Sequence, residues 1–391
     1  MVSVAQGGVR EPENLLLIGS TGSIGESTLK VVRRHPGRFR LVGLTAHSSW
    51  QRLVEQAREV QPRWVHIGEA FFKDVRAALE GTGIEVLSGR RDLVDLPARE
   101  GCDTLVLAIV GTRGLEPLMS AIKAGRRICF ANKEPLVTAG ELVMKEVRQR
   151  GLHCLPIDSE HSAILQCLRG ENMHEVRRLI LTASGGPFRQ STLEEFNSAT
   201  REQALRHPTW EMGAKITVDS ATMMNKALEV IEARWLYDLP EDQIDVLIHP
   251  QSIVHSMVEF RDRSVKAQLG LPDMRIPIQY ALSYPEHLEL DMETVDWVRL
   301  GALSFEAVDD VKFRALPLAR AALRQGRGAP CVMNAANEAA VELFLAGKLS
   351  FSGIYRQVES ALSAWQGRAE SLDELIALDR DTRESVLKAV C

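Results

Sequence analysis

The sequence predicts an α/β protein in three parts, and three changes of rhythm along the chain predict it. Over residues 14–150, short apolar runs alternate with amphipathic segments. That alternation is the mark of strand–helix–strand units laid into a parallel sheet with right-handed crossovers. From about 151 the β-rich runs crowd together, as in a mixed or antiparallel sheet. From about 312 only helical patterns remain.

Taken in order, the first part carries the runs "LLLIG", "FRLVGLTA", "WVHIG", "IEVLS", "DTLVLAIVG" and "RICFAN". Such continuous apolar strands suit a sheet covered on both faces. Amphipathic stretches such as "SSWQRLVEQAREV" and "GLEPLMSAIKAG" lie between them. This is a Rossmann-like layout. The central part reads as α+β, with strands at "VRRLILTAS", "IDVLIHP", "IVHSMVEF" and "VKAQLGL". The last part contributes "ALPLARAALRQG", "MNAANEAAVELFLAG", "FSGIYRQVESALSAW" and a final long helix. Ser371 with Glu374 forms a capping-box signature for that last helix. The expected divisions are a flexible tail at 1–13, a nucleotide domain at 14–150, a central domain at 151–290, a linker at 291–311 and a helical domain at 312–391.

Composition narrows the function. With 391 residues, 25% charged and 45% hydrophobic, the chain is ordinary for a globular protein. A net charge of -5 argues against a general nucleic-acid binder. No apolar run approaches the roughly 18 residues of a membrane span. The opening "MVSVAQGGVREPEN" has no apolar core of a secretory signal, so a cytoplasmic protein is expected. The six cysteines form no C-x-x-C pair and read as free thiols rather than disulfides or zinc ligands.

The most informative turn follows the first strand. Gly19-x-x-Gly22-x-x-Gly25 sits between an apolar run and a helical stretch. Strand-before and helix-after context is what a pyrophosphate cradle needs: free backbone N–H groups at a helix N-terminus, with glycines permitting close approach. A bland glycine-rich turn is the competing reading, and the context outweighs it. The second strand ends in Ala46-His47-Ser48-Ser49. No carboxylate stands there to bind ribose hydroxyls or repel a 2′-phosphate, and His47 and Ser48 can donate to one, so NADPH is favoured over NADH. A serine here can equally cap the next helix.

Four further stretches carry chemistry. "FANKEPLVTAG" puts Asn132, Lys133 and Glu134 at the carboxyl end of the sheet, where α/β proteins bind ligands. Alone, Lys133–Glu134 could be a surface pair. "LPIDSEHSAI" places Asp158 and Glu160 two residues apart, on one side of an extended stretch. Paired carboxylates without cysteine suit magnesium or manganese; an acid-rich helix start is the plainer alternative. "VDSATMMNKALEVIEARW" sets Asn225, Lys226 and Glu229 on one helical face, with Ser220 near the helix start. Glu229 could complete a metal site while Asn225 and Lys226 hold an anion, or Lys226–Glu229 could be a surface pair. "LTASGGPFR" offers Ser184 with two glycines as an anion-binding turn. "HPTWEMGAK" contributes His207, Trp210, Met212 and Gly213 in a segment with turn character, a lid or satellite packing. His249 and His255, inside apolar strands, read as packed histidines.

Together, "GSTGSIG", "ANKE", "DSEHSAI", "TASGGPF", "HPTWEMGAKITVDSATMMNK" and "LGLPDMRIPI" closely resemble the 1-deoxy-D-xylulose 5-phosphate reductoisomerase family, in order over residues 15–285. The resemblance implies that 151–290 is a catalytic, metal- and substrate-binding domain that also dimerises. It implies NADPH-dependent rearrangement and reduction of 1-deoxy-D-xylulose 5-phosphate to 2-C-methyl-D-erythritol 4-phosphate, with magnesium or manganese. Asp158, Glu160 and Glu229 would be the metal ligands, and Lys133, Glu160 and His207 the catalytic groups. Ser159, Ser184, Ser220, Asn225 and Lys226 would contact the substrate, with His207, Trp210 and Met212 in a flap over it. Gly19, Thr21, Gly22, Ser23, Ile24, His47, Ser48, Asn132, Glu134, Gly213 and Met274 would contact the cofactor. The chain departs from the family at Ala46-His47-Ser48, where a glycine, a basic residue and an asparagine are usual. Two rival classes are another NADP-dependent dehydrogenase, homoserine dehydrogenase-like, and a non-catalytic NADP-binding regulator. Metal-dependent NADPH oxidation would separate them.

Overall fold

A computed structural model describes residues 11–206 and 213–390. All six strands expected in the first part are present: β1 (Glu13–Ile18), β2 (Phe39–Thr45), β3 (Trp64–Ile67), β4 (Glu85–Ser88), β5 (Thr104–Leu107) and β6 (Arg127–Phe130). A seventh, β7 (Cys154–Pro156), extends the sheet beyond residue 150, and the order is β4-β3-β2-β1-β5-β6-β7. All pairings are parallel. Leu16 and Ile18 enter one core cluster and Leu15 and Leu17 another, all fully buried. Alternate side chains thus fill both faces, which is why the strand reads as an unbroken apolar run. β7 escapes sequence reading because it has three residues and ends in Pro156, which an edge strand tolerates. Glu13, assigned to the tail, opens β1, and its carboxylate lies 3.1 Å from the Arg127 guanidinium.

The second sheet contains β8 (Val176–Ala183), β9 (Ile244–Ile248), β10 (Val254–Phe260), β11 (Val265–Leu269) and β12 (Glu306–Ala307), in the order β11-β10-β8-β9-β12. β8 and β9 run parallel and the other pairs antiparallel, so the sheet is mixed. The expected linker 291–311 therefore supplies an edge strand, β12, too short and too exposed to leave a pattern. Helix Arg275–Ser283 follows β11 of the second sheet in sequence but buries Ile278, Ala281 and Leu282 in a core cluster with the strands of the first sheet.

The C-terminal helices Ala315–Gln325, Ala329–Leu345, Phe351–Ala364 and Leu372–Val390 share one core with helix Met224–Leu236 of the central part. The Ser371–Glu374 capping box forms: the Ser371 N–H donates to Glu374 at 3.0 Å and Ser371 Oγ accepts from the Glu374 N–H at 3.3 Å. Gly140 lets helix Glu134–Gln149 press against helix Met224–Leu236; a Cβ there would stand 2.2 Å from the Trp235 ring. That close approach brings the start of one helix, beside Lys133, over Glu229 of the other. Cys102, Cys129, Cys154, Cys167 and Cys331 are free, and burial pushes the Cys129 thiol up to about 12. No helix among the described residues is long and apolar enough to cross a membrane.

Candidate active site

Asp158 is the N-cap of helix Ser159–Leu168: its Oδ1 accepts the Glu160 and His161 N–H groups at 3.1 and 3.4 Å. The sequence placed Asp158 and Glu160 in an extended stretch; they stand instead at a helix start. The acid-rich helix start and the ligand reading coincide, because capping occupies one Asp158 oxygen and leaves the other pointing inward. Asp158, Glu160 and Glu229 each offer an oxygen, and these lie within 4.8 Å of one another. Among the described residues no other set of three His, Cys, Asp or Glu side chains converges in this way. Glu229 is 1% exposed. Burial, then the nearby Glu160 carboxylate, pushes its carboxyl up to about 7.

Two buried lysines oppose these acids. Lys133 Nζ pairs with Asp158 and lies 3.5 Å from Glu229 Oε1. Lys226 Nζ lies 2.6 Å from Glu160 Oε1 and pairs with Glu229. Burial works against both ammonium groups, but the carboxylates around them outweigh it and hold both charged. The Lys226–Glu229 pair exists, though in the interior rather than on a surface. Asn225 Nδ2 donates to Glu229 Oε1 at 2.5 Å, and Ser159 Oγ donates to Glu160. Three carboxylates against two ammonium groups leave an excess negative charge in a dry place. That donor set fits a hard divalent cation.

Ser184 follows β8 and leads into Gly185 and Gly186, both with positive φ, +85° and +64°. A Cβ on Gly186 would stand 2.8 Å from the Ser220 carbonyl oxygen, so glycine is what lets this turn lie against Ser220. Ser220 itself is not at the start of the Asn225-bearing helix. It closes the preceding helix, Ala214–Ala221, because Met223 takes φ +58° and breaks the run. Thr222, rather than Ser220, accepts the Met224 N–H, at 3.3 Å. Asn225 and Lys226 contact the acidic cluster directly, and the Ser184 turn lies against Ser220 through Gly186. His207, Trp210 and Met212 lie outside the described residues; Gly213 is the exposed N-cap of helix Ala214–Ala221.

The glycine turn lies where the sheet order reverses, between β1 and β5, the place where open α/β sheets bind ligands. Gly19 has φ +92°, and a Cβ on it would meet the Ala108 carbonyl oxygen at 2.4 Å. Gly25 is equally constrained, at 2.3 Å from the Ser20 carbonyl. Gly22 is the N-cap of helix Ser23–Arg34, without a side-chain cap, and Gly22 and Ser23 are exposed. The first N–H groups of that helix, beside Thr21 and Ile24, therefore face outward, as a pyrophosphate requires. Met274 and Ile24 pack against the same core cluster. His47 and Ser48 are exposed at the carboxyl end of β2, and Ser49 precedes helix Trp50–Val60 without a side-chain cap bond. The serine-cap alternative thus falls away for Ser49.

Asn132 and Glu134 are buried after β6, and Asn132 Nδ2 donates to Glu134 Oε2 at 2.5 Å and to the Gly111 carbonyl, in the loop after β5, at 3.3 Å. Glu134 does not pair with its neighbour Lys133 but with Lys215, at 2.9 Å. Sequence reasoning missed Gly114, on which a Cβ would meet Asn132 Oδ1 at 2.3 Å, and Lys215. It also missed the His161–Glu232 pair, 3.2 Å apart and fully buried beneath the acids. Glu232 could have been found as the next residue on the Glu229 face, three positions on. His249 and His255 are buried, their rings contacting the Ser304 and Gly270 carbonyls at 2.8 and 3.3 Å, as packed histidines should be.

Three family models match the chain: 1-deoxy-D-xylulose 5-phosphate reductoisomerase over 15–140, that enzyme's C-terminal domain over 154–237, and a DXP reductoisomerase C-terminal domain over 269–385. The 1-deoxy-D-xylulose 5-phosphate reductoisomerase of Chloroherpeton thalassium is 50% identical over 376 residues, 96% of this chain and 97% of that one. That of Chlorobium phaeovibrioides is 51% identical, over 95% and 97%. A crystal structure of DOX-P reductoisomerase in complex with NADPH, fosmidomycin and magnesium superposes with a TM-score of 0.92 at 41% identity, over 97% of this chain and 98% of that one. The Zymomonas mobilis enzyme in complex with NADPH gives 0.91 at 41%, over 97% and 99%. Identity at this level over nearly the whole length displaces the homoserine dehydrogenase-like and regulator readings, and the chain belongs to the 1-deoxy-D-xylulose 5-phosphate reductoisomerase family.

Proposed function

We propose that this chain rearranges 1-deoxy-D-xylulose 5-phosphate and reduces the product with NADPH to 2-C-methyl-D-erythritol 4-phosphate, in the non-mevalonate isoprenoid route. The observation that carries the proposal is the convergence of Asp158, Glu160 and Glu229 within 4.8 Å, opposed by two buried lysines, with Lys133, Asp158 and the constrained glycine turn all following carboxyl ends of strands in one parallel sheet. Asp158, Glu160 and Glu229 would hold magnesium or manganese. A bound divalent cation supplies Lewis acidity, polarising the substrate ketone and acidifying the adjacent hydroxyl. NADPH, held by Gly19, Thr21, Gly22, Ser23, Ile24, Asn132, Glu134, Gly213 and Met274 with His47 and Ser48 at the 2′-phosphate, supplies the hydride.

The chain's own groups do the rest. The Lys133 ammonium, kept charged by Asp158 and Glu229, stabilises negative charge developing on a substrate oxygen. Ser184, Ser220, Asn225 and Lys226 bind the phosphate in charge-assisted hydrogen bonds, and that anion competes with Glu160 and Glu229 for Lys226. Ser159 orients the substrate backbone. His207, Trp210 and Met212 exclude water from above, and His207 and Glu160 join Lys133 as the catalytic groups. The working form is a cytoplasmic homodimer; Trp297, Val298 and Phe305, in the stretch of chain leading into edge strand β12, are exposed large apolar side chains, which supports a protein contact there.

The test is NADPH absorbance on adding 1-deoxy-D-xylulose 5-phosphate, with and without a chelator. Absorbance should fall only with divalent cation present. Oxidation that is indifferent to chelation would sink the carboxylate assignment, and no oxidation at all would sink the reaction.

A further inference from the structure

Lys215 lies three residues beyond 207–212, on the first turn of helix Ala214–Ala221, and nothing in the reaction above uses it. Its ammonium is 2.9 Å from Glu134 Oε1, 3.0 Å from Asp219 Oδ2 and 3.8 Å from Glu338 Oε1. Those three carboxylates come from three parts of the chain. Glu134 belongs to the nucleotide domain and Asp219 to helix Ala214–Ala221. Glu338 sits on C-terminal helix Ala329–Leu345.

The contacts continue until they close. Glu338 pairs with Arg383 on the last helix. Arg383 Nε donates to Asp379 Oδ2 at 2.9 Å, and Thr112 Oγ1 donates to the same oxygen at 3.1 Å. Thr112 adjoins Gly111, whose carbonyl accepts from Asn132, and Asn132 donates to Glu134. Asn337 Nδ2 ties Asp219 into the ring at 2.8 Å. Apart from Lys215 and Arg383, at 23% and 26%, the ring's side-chain charges are at most 11% exposed, so these contacts are little screened by solvent. Every cation in it serves at least two carboxylates, so removing one leaves buried negative charge facing buried negative charge.

We propose that Lys215 is a positioning residue for cofactor binding: it fixes Glu134 and Asn132 after β6 and links them, through Glu338 and Arg383, to the C-terminal helices. This rests on the reading of Asn132 and Glu134 as cofactor contacts. A consequence follows that a local role would not have. Glu338 lies on a C-terminal helix and contacts neither the glycine turn nor the acidic cluster, yet changing it should alter NADPH affinity. Lys215 also pairs with Asp219 within helix Ala214–Ala221.

The experiment measures NADPH affinity by nicotinamide fluorescence in the full-length protein, without substrate, alongside manganese affinity and Tm. Lys215→Met should weaken NADPH about 10-fold, the scale of coupling carried by such networks, and Lys215→Arg should restore most of it. Glu338→Gln should weaken NADPH in the same direction, while manganese affinity stays within twofold of wild type in every variant. Should Lys215→Met not fold, Glu338→Gln and Lys215→Arg carry the test alone. NADPH affinity equal to wild type in Glu338→Gln and in Lys215→Met, with only Tm lowered, would overturn the proposal and leave a structural ring. A wild-type protein that binds no NADPH would overturn the functional reading itself, a separate result.

Discussion

Lys133 and Glu134 are adjacent in sequence and serve two different buried clusters. Lys133 turns to Asp158 and Glu229; Glu134 turns to Lys215. Both clusters hold more acids than bases: Asp158, Glu160 and Glu229 against Lys133 and Lys226, and Glu134, Asp219, Glu338 and Asp379 against Lys215 and Arg383. Yet only the first brings three carboxylates within 4.8 Å among the described residues. In the second, cations and amides stand between the acids and bind them in a ring. The same residue types thus make a cation site in one place and a cross-link in the other. Charge count does not separate them; the arrangement of the oxygens does.

The largest losses are expected at the convergent cluster. Asp158→Asn, Glu160→Gln and Glu229→Gln should each lower turnover by about 10³-fold or more, since anionic oxygens are what a hard cation needs. Tm without metal should change little in Glu229→Gln, whose carboxyl burial and the neighbouring Glu160 push up, and should fall in Asp158→Asn and Glu160→Gln, which take a partner from buried Lys133 and Lys226. Full activity in any one of them would take that residue out of the ligand set.

The ring should respond the other way. Arg383→Met leaves Asp379 without a cation and Glu338 with Lys215 alone, and should cost about 2 kcal/mol of stability, less than a fully buried pair because the guanidinium is partly exposed. Chemical denaturation reads this directly, and manganese titration should be unchanged. A variant that lost metal binding but kept its stability would merge the two clusters into one.

A smaller effect sharpens the contrast by pH. Glu229, with its carboxyl raised to about 7, contributes to the stability of the metal-free protein below its unfolded value of 4.5 and loses that contribution as pH rises through 7. A divalent cation must displace the proton, so its affinity should be about 10-fold weaker at pH 6 than at pH 8. The Tm gain from magnesium should shrink accordingly. Equal gains at both values would mean that Glu229 is already ionised at pH 6.

The smallest effect lies outside both clusters. His47→Asp should reduce the preference for NADPH over NADH by roughly 5-fold, the scale of about 1 kcal/mol for one exposed charge facing a 2′-phosphate. An unchanged ratio would place 2′-phosphate recognition elsewhere.

Much of this was legible from sequence because it is local. Apolar runs named six strands of the first sheet, since covering both faces forces every residue to be apolar. Glycines 19 and 25 marked the turn, since their backbone must come close to other backbone, and Gly22 stands open at the helix N-cap. Ser371 and Glu374 announced a cap that forms within four residues. β7 and β12 were invisible, because strands of three and two residues carry no period. The sequence put Ser220 near the start of the Asn225-bearing helix and did not show that it closes a separate one, because a single left-handed residue, Met223, leaves no mark in a methionine pair.

What the sequence could not decide is which charges meet. Asp158 and Glu229 are 71 positions apart, and Lys215 and Glu338 are 123. Their meeting depends on Gly140 letting two helices touch at Trp235 and on the C-terminal helices sharing a core with the central ones. Side-chain type determined that these residues could bind a cation, an anion or one another. Only packing determined which of these each does, because an interaction between buried charges exists only when the fold excludes water and sets the distance between them.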